Sequence, residues 1–322
     1  AQSVSSYNTS TSGSWTCVVD TTTGLTWAYN PSSGPVSFSA LGNITSGPNS
    51  DTACGLNSWR LPSIHELYKI ANFGYDPGAD KVIDSFIDTS VFSSIFIDNG
   101  ETPGSADHEI SYIWSSTTSE TFDSSSPQSP DQNWVISYFD GLQQKSNGNN
   151  YTVFVHDAAS PSGTEQPVIL DDLSDRHACE GTIDESDHRY TINGDDTFTD
   201  NVTGLTWYRL AQSTGTGLSW IDMLQAAEDF TTSGTDWRLP TIKELESLMD
   251  YDCNNMRNAT ATVIMNASDN LPIVSSTPFL DEDAGAKVNH VWVIDPDELV
   301  NPLKTLDSAT FNTTSMQYYL VK

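Results

Sequence analysis

Trp237-Arg238-Leu239-Pro240-Thr241-Ile242-Lys243-Glu244-Leu245 occurs twice in this chain; with two exchanges it is also Trp59-Arg60-Leu61-Pro62-Ser63-Ile64-His65-Glu66-Leu67. Both copies carry Ser/Thr-x-x-Glu. In that pattern the hydroxyl accepts from the amide three residues on and the carboxylate reaches back to the first amide, so a helix begins at Ser63 and at Thr241. Pro62 and Pro240 hold Leu61 and Leu239 extended. Ile64, Leu67 and Ile70, like Ile242, Leu245 and Leu248, then form one apolar stripe. The cap accounts for Glu66 and Glu244 as structural residues; the functional alternative is a catalytic acid. Arg60 and Arg238, two of six Arg, each follow a Trp at the same point. A guanidinium there makes fork hydrogen bonds to carboxylate or carbonyl groups while its stem packs on aromatic surface, which reads as a clamp rather than a ligand-binding Arg.

The repeat extends in both directions. Gly24-Leu25-Thr26-Trp27 recurs as Gly204-Leu205-Thr206-Trp207, and the following Trp lies 32 and 30 residues further on. Trp114-Ser115-Ser116-Thr117 matches Val274-Ser275-Ser276-Thr277, Trp134-Val135-Ile136 matches Trp292-Val293-Ile294, and the β-like segments Tyr151–Val155 and Tyr318–Val321 close the two halves. Trp27, Trp59, Trp207 and Trp237 recur at repeat positions, a packing signature that assigns them to cores rather than to exposed platforms for sugar rings. The expected architecture is two copies of one α+β domain, residues 15–160 and 181–322, each with a capped helix packed on antiparallel strands. A small, polar, Pro-containing linker, 161–180, joins them. Residues 1–14 are Ser/Thr-rich and cannot build a core, so this segment is expected to lie along a neighbouring domain, to add a strand to a sheet edge, or to fold back on its own domain.

The chain has 322 residues, enough for two ordinary domains, and its nine Trp and 37% hydrophobic residues mark it as folded. Against 13 Lys+Arg stand 43 Asp+Glu, a net charge of −30 that repels nucleic acid and anionic lipid. No apolar run is long enough to span a bilayer. The start at Ala1-Gln2 without Met reads as the mature form of an exported protein. Four Cys allow three pairings. Because each half builds its own core, Cys17–Cys54 and Cys179–Cys253 are the expected bridges, in an oxidising compartment.

The order Gly-Leu-Thr-Trp, Asp-Trp-Arg-Leu-Pro-Thr-Ile-Lys-Glu-Leu, Trp-Ser-Ser-Thr, Trp-Val and a terminal strand resembles the Lcl C-terminal domain family, named for the last module of a bacterial collagen-like adhesin. Both halves match, with Trp237 to Leu245 the closest segment. Ser58 stands where Asp236 precedes the Trp of the second copy, and Val274 stands where Trp114 does in the first. The family's usual closing Cys is missing, so its disulfide scheme does not transfer. The resemblance implies a C-type-lectin-like α+β domain in secreted or surface proteins tied to adhesion, without established enzymatic chemistry. The sulfated polysaccharide associated with that adhesin is a poor ligand for a chain at −30.

The sequence lacks Gly-x-Ser-x-Gly, a phosphate loop, Cys-x-x-Cys and His-Glu-x-x-His, and its six His show no metal-ligand spacing. Calcium is the one ion that the acidic loops suit. The candidates are Asp281-Glu282-Asp283, Asp195-Asp196 with Asp200, and Asp171-Asp172 with Asp175, weighed against a simply solvated acidic surface. Seven Asn-x-Ser/Thr sequons permit glycosylation. The function expected is that of a secreted or cell-surface structural and adhesive protein working through protein interfaces, self-association or other surface proteins, as the subunit of an extracellular homopolymer. The rival readings are a calcium-dependent glycan-binding lectin and, third, a polysaccharide hydrolase.

Overall fold

The computed structural model describes residues 7–21, 24–41, 46–71, 91–92, 112–118, 133–137, 143–157, 190–201, 203–213, 218–249, 271–279, 290–295, 303–307 and 316–322. Those up to 157 belong to one compact unit and those from 190 to a second.

The first unit contains β1 (Tyr7–Ser12), β2 (Trp15–Asp20), β3 (Thr26–Tyr29), β4 (Val36–Ser37), α1 (Ser46–Ser50), α2 (Ile64–Lys69), β5 (Tyr112–Thr118), β6 (Asn133–Ser137), β7 (Gln143–Ser146), β8 (Asn149–Asn150) and β9 (Phe154–His156). The antiparallel order β1-β2-β3-β9 makes one sheet, β5-β6-β7 a second, and β4 pairs with β8. Tyr151, just before β9, runs parallel to Ile113 and links the two larger sheets; its amide donates to the Tyr112 carbonyl at 2.8 Å and its carbonyl accepts from the Trp114 amide at 3.0 Å.

The second unit contains β10 (Tyr190–Ile192), β11 (Thr197–Asp200), β12 (Thr206–Ser213), α3 (Trp220–Glu228), α4 (Ile242–Glu246), β13 (Ile273–Phe279), β14 (His290–Ile294), β15 (Leu303–Asp307) and β16 (Gln317–Val321). Its strands form one seven-stranded sheet in the order β10-β11-β12-β16-β13-β14-β15, with β16 parallel to β13 at Gln317 and Ile273. With the Tyr151–Ile113 bridge joining them, the first unit's two larger sheets have the same order, so the sequence repeat is a topological repeat; the β4–β8 pair has no counterpart among the described residues of the second unit.

The same local chemistry builds matching elements. In each Gly-Leu-Thr-Trp turn the Gly amide donates to the Asp carbonyl (Gly24 to Asp20, Gly204 to Asp200, both 2.8 Å), and φ values of 76° and 73° place these glycines in the left-handed region. Alternation along β3 then sends Ala28 toward a cluster with Trp15, Trp59, Leu61, Trp114 and Phe154, and Trp27 to the opposite face, where Phe92 meets it edge-on. In the second unit Tyr208 and Leu320 face the cluster of Met223, Trp237, Val274 and Val293, while Trp207 turns the other way against Phe198. Trp27 and Trp207 are fully buried, so both faces of these strands are covered and no polar alternation marks them in the sequence.

The C-type-lectin-like α+β architecture expected above is not what forms. Strands in several sheets dominate, and the four described α-helices are five to nine residues long. The reason is local: a capping box fixes where a helix begins and leaves its length open. Capping boxes form at Ser63 and Thr241, yet α2 ends at Lys69 and α4 at Glu246. Such short helices have no stability apart from the sheets they touch. Residues 7–12 of the Ser/Thr-rich segment are not a free tail but β1, paired from Tyr7–Asp20 to Ser12–Trp15.

Cys17 on β2 is bonded to Cys54, 37 residues on, tying the sheet to the turn Ala53–Gly55. Cys179 and Cys253 lie outside the described residues. A closed loop of that length restricts the unfolded chain by about 3–4 kcal/mol. Cys17→Ala with Cys54→Ala should lower the first unit's denaturant stability by that amount and leave the second unit's transition unchanged; equal loss in both would contradict independent cores.

Candidate functional site

The element that recurs with its full geometry is the Trp-Arg-Leu-Pro-Ser/Thr-x-x-Glu segment. Arg60 is held to Val155 of β9 by its main chain, donating to the Val155 carbonyl at 3.1 Å and accepting from its amide at 2.9 Å. Arg238 makes the same pair with Val321 of β16, 3.0 Å each way. The backbone of the arginine thus borders the last strand of each unit, while its side chain turns to the helix cap.

There the guanidinium grips the cap glutamate with two parallel bonds. Arg60 Nη1 and Nη2 donate to Glu66 Oε2 and Oε1 at 2.8 and 2.7 Å; Arg238 does the same to Glu244 at 2.8 and 2.6 Å. The same carboxylates accept the cap amides, Ser63 N at 2.8 Å and Thr241 N at 2.7 Å, while Ser63 Oγ and Thr241 Oγ1 accept from the Glu66 and Glu244 amides. One carboxylate therefore closes a helix terminus and neutralises a cation. The Glu66 side chain is 3% exposed, and burial of that kind is tolerated because its charge is paired and its oxygens bonded.

The two clamps differ at their outer edge. Asp157, one residue past β9, accepts from Arg60 Nη2 at 2.6 Å and from Nε at 3.4 Å. With Nη1 also donating to the Leu61 carbonyl, all five N–H groups of Arg60 are used. Among the described residues, Arg238 donates to the Leu239 carbonyl and to Glu244. Burial works against the charged form of Arg60, but Glu66 and Asp157 outweigh it and raise the guanidinium's pKa above its usual value; for Arg238 the bond to Glu244 raises it against burial. Burial alone would push the Glu244 carboxyl up. The Arg238 guanidinium and the Thr241 amide and hydroxyl outweigh it and hold the carboxyl below its ordinary range.

A second repeated constellation carried no structural role in the sequence reading. In Ser115-Ser116-Thr117 and Ser275-Ser276-Thr277, the first Ser hydroxyl donates to the carbonyl of Trp134 or Trp292 at 2.7 Å. The second Ser amide donates to the carbonyl of Pro62 or Pro240 at 2.7 Å, and the Thr hydroxyl accepts from the first helical amide, Ile64 or Ile242, at 3.0 Å. These hydroxyls seat the cap against β5 and β13. Their only sequence signal was their recurrence.

Trp59 and Trp237 are buried beside the clamps, and each meets the residue after its closing valine: the His156 ring lies 5.5 Å from Trp59, and Lys322 Nζ lies 4.3 Å above Trp237. Of the calcium candidates, Asp195, Asp196 and Asp200 lie among the described residues. Among the described residues no three His, Cys, Asp or Glu groups gather to hold a metal ion; the Asp195 carboxylate accepts from Thr197 Oγ1 at 2.6 Å. Asp281, Glu282 and Asp283, like Asp171, Asp172 and Asp175, lie outside the described residues. No described helix is long and apolar enough to cross a membrane.

Each unit is thus a β-rich module in which one arginine–glutamate pair ties a helix cap to the last strand, and the chain is a tandem of two such modules. The profile of the Lcl C-terminal domain family matches residues 16–156 and 196–320, and the chain belongs to that family. The family is surface-related and adhesin-like and is not a known enzyme family. No curated protein and no solved structure matches the chain.

Arg60→Ala leaves Glu66 buried without its counter-charge and should cost the first unit roughly 3 kcal/mol, the low end for a broken buried pair because Arg60 is partly exposed. The Glu244 carboxyl titrates lower folded than unfolded, so its stabilisation is present above the unfolded value and is lost as pH falls through the folded one. Urea titrations at decreasing pH should show a shallower acid limb for the second unit in Glu244→Gln; an unaltered slope would assign the acid sensitivity elsewhere.

Proposed function

We propose that the chain is a secreted or cell-surface structural and adhesive protein that acts through protein interfaces, with domains at 15–160 and 181–322 joined by 161–180, and that it self-associates as the subunit of an extracellular homopolymer. The observation that carries this reading is β1. It is an edge strand, four of its six residues are exposed, and among the described residues no strand pairs with its outer side. Such an edge presents main-chain donors and acceptors at alternate positions, and Ser/Thr side chains do not block the approach of another strand as Lys or Pro would. A tandem of similar modules also offers two unlike ends, which a head-to-tail contact needs.

Family membership supports a surface role.

Deletion of residues 1–14 tests the proposal. Light scattering across a concentration series should show association in the full chain and its loss in the truncated one, with near-ultraviolet circular dichroism retained. Undiminished association of a folded truncated chain would sink the edge-strand reading.

A further inference from the structure

Among the described residues, the strand order common to the two units ends in β1 and β7 in the first and in β10 and β15 in the second. These ends differ in chemistry. β7 and β15 each contain a lysine, Lys145 and Lys304, the residue with which sheet edges are commonly closed to further strands. β1 and β10 contain no charged residue and no proline, and their pairing with the neighbouring strand runs without a bulge. Each unit therefore has one guarded edge and one unguarded edge.

The two unguarded edges also match in geometry. Gly13-Ser14 form a two-residue turn closed by the Ser12–Trp15 pair, so alternation along β1 turns the main-chain groups of Thr9 and Thr11 outward. In the second unit the Asn193 amide donates to the Thr197 carbonyl at 2.9 Å, and the same alternation turns the main chain of Ile192 outward. Thr9 shares a face with Val18 and Trp27, and Ile192 shares one with Phe198 and Trp207. An antiparallel ladder between the two edges would set the Trp27 face beside the Trp207 face and cover Ile192, which is 51% exposed. Charge favours the same contact. Two copies at −30 repel, yet only one of the 43 acidic residues, the buried Asp20, and none of the 13 basic ones lies in the first fifty residues.

We infer that the outer edge of β10 receives β1 of a second copy of this chain, with Thr9 or Thr11 opposite Ile192 in an antiparallel ladder. The inference rests on the self-association reading and names the surface that β1 meets. Ile192→Lys places on β10 the residue that β7 and β15 already carry, and Thr305→Lys on β15 is the control. Sedimentation velocity over a concentration series should show association weakened by about tenfold or more in Ile192→Lys and unchanged in Thr305→Lys, both with near-ultraviolet circular dichroism retained. Equal loss in Thr305→Lys would overturn the inference. In a second measurement, copies carrying Thr9→Cys are mixed with copies carrying Ile192→Cys and treated with a short bis-maleimide; linked dimers should form in the mixture beyond those of either variant alone. A mixture that links no better than its components would overturn the inference even where Ile192→Lys fails to fold, and linking among Thr9→Cys copies alone would overturn it in favour of β1 against β1. Association undiminished in a folded Ile192→Lys chain but lost on deleting residues 1–14 would overturn this inference and leave the edge-strand reading standing. An unaltered chain that stays monomeric at every concentration would end both.

Discussion

A carboxylate paired with an arginine at the start of a short helix, buried in the first unit and 21% exposed in the second, is the constraint around which each unit is arranged. Glu66 is shielded from water, so its charge would be prohibitive without Arg60, and Arg60 is held because its main chain pairs with Val155. The four atoms of one guanidinium-carboxylate fork thereby join the helix cap, the Leu61-Pro62 segment and the last strand. The carbonyl of Pro62 extends the connection to Ser116 on β5, and Thr117 on the same strand seats the first helical amide. Removing the glutamate would release a helix, a cation and a strand border together.

The second unit shows which parts of this scheme are free to vary. Val274 replaces the indole that Trp114 places in the first core. Trp220 on α3 packs against the cluster holding Val274 and donates to the Ser275 carbonyl at 2.9 Å, so the aromatic volume is supplied from a different element. The group meeting the buried tryptophan changes from the His156 ring of the first unit to the Lys322 ammonium of the second, whose Nζ also donates to the Ser233 carbonyl at 3.0 Å. The clamp atoms change least, as expected where a buried charge leaves one acceptable geometry and packing leaves several.

How much of this was legible in the sequence depended on the distance between partners. The capping boxes at Ser63 and Thr241, and an arginine fork in need of a carboxylate, follow from residues within six positions of one another. The Cys17–Cys54 bridge followed from the repeat, because cores that fold separately restrict the pairing. Asp157, 97 residues from Arg60, and Thr117, 53 residues from Ile64, left no local trace. The lectin-like α+β expectation failed for a related reason: the apolar stripe that begins each helix is also satisfied by one or two turns laid against strands. Burial on both faces removed the alternation that would have revealed how much of each unit is sheet. Ser58 and Asp236 both adopt a φ of 69° just before the tryptophan, a left-handed turn that an aspartate accepts readily and a serine does not advertise.

In the second unit the final strand, β16, lies in the middle of the sheet, between β12 and β13. A chain that emerges from its N-terminal end can form the β10–β12 meander and the β13–β15 meander early, but these remain two half-sheets with open edges until Gln317–Val321 arrives between them. The first unit has the same order of events, with Tyr151 and β9 as the late arrivals. Contacts of such long sequence separation slow folding and delay commitment to the native state. Neither sheet can therefore be completed before its own last strand has been made, whereas the first can be completed while the second is still being synthesised.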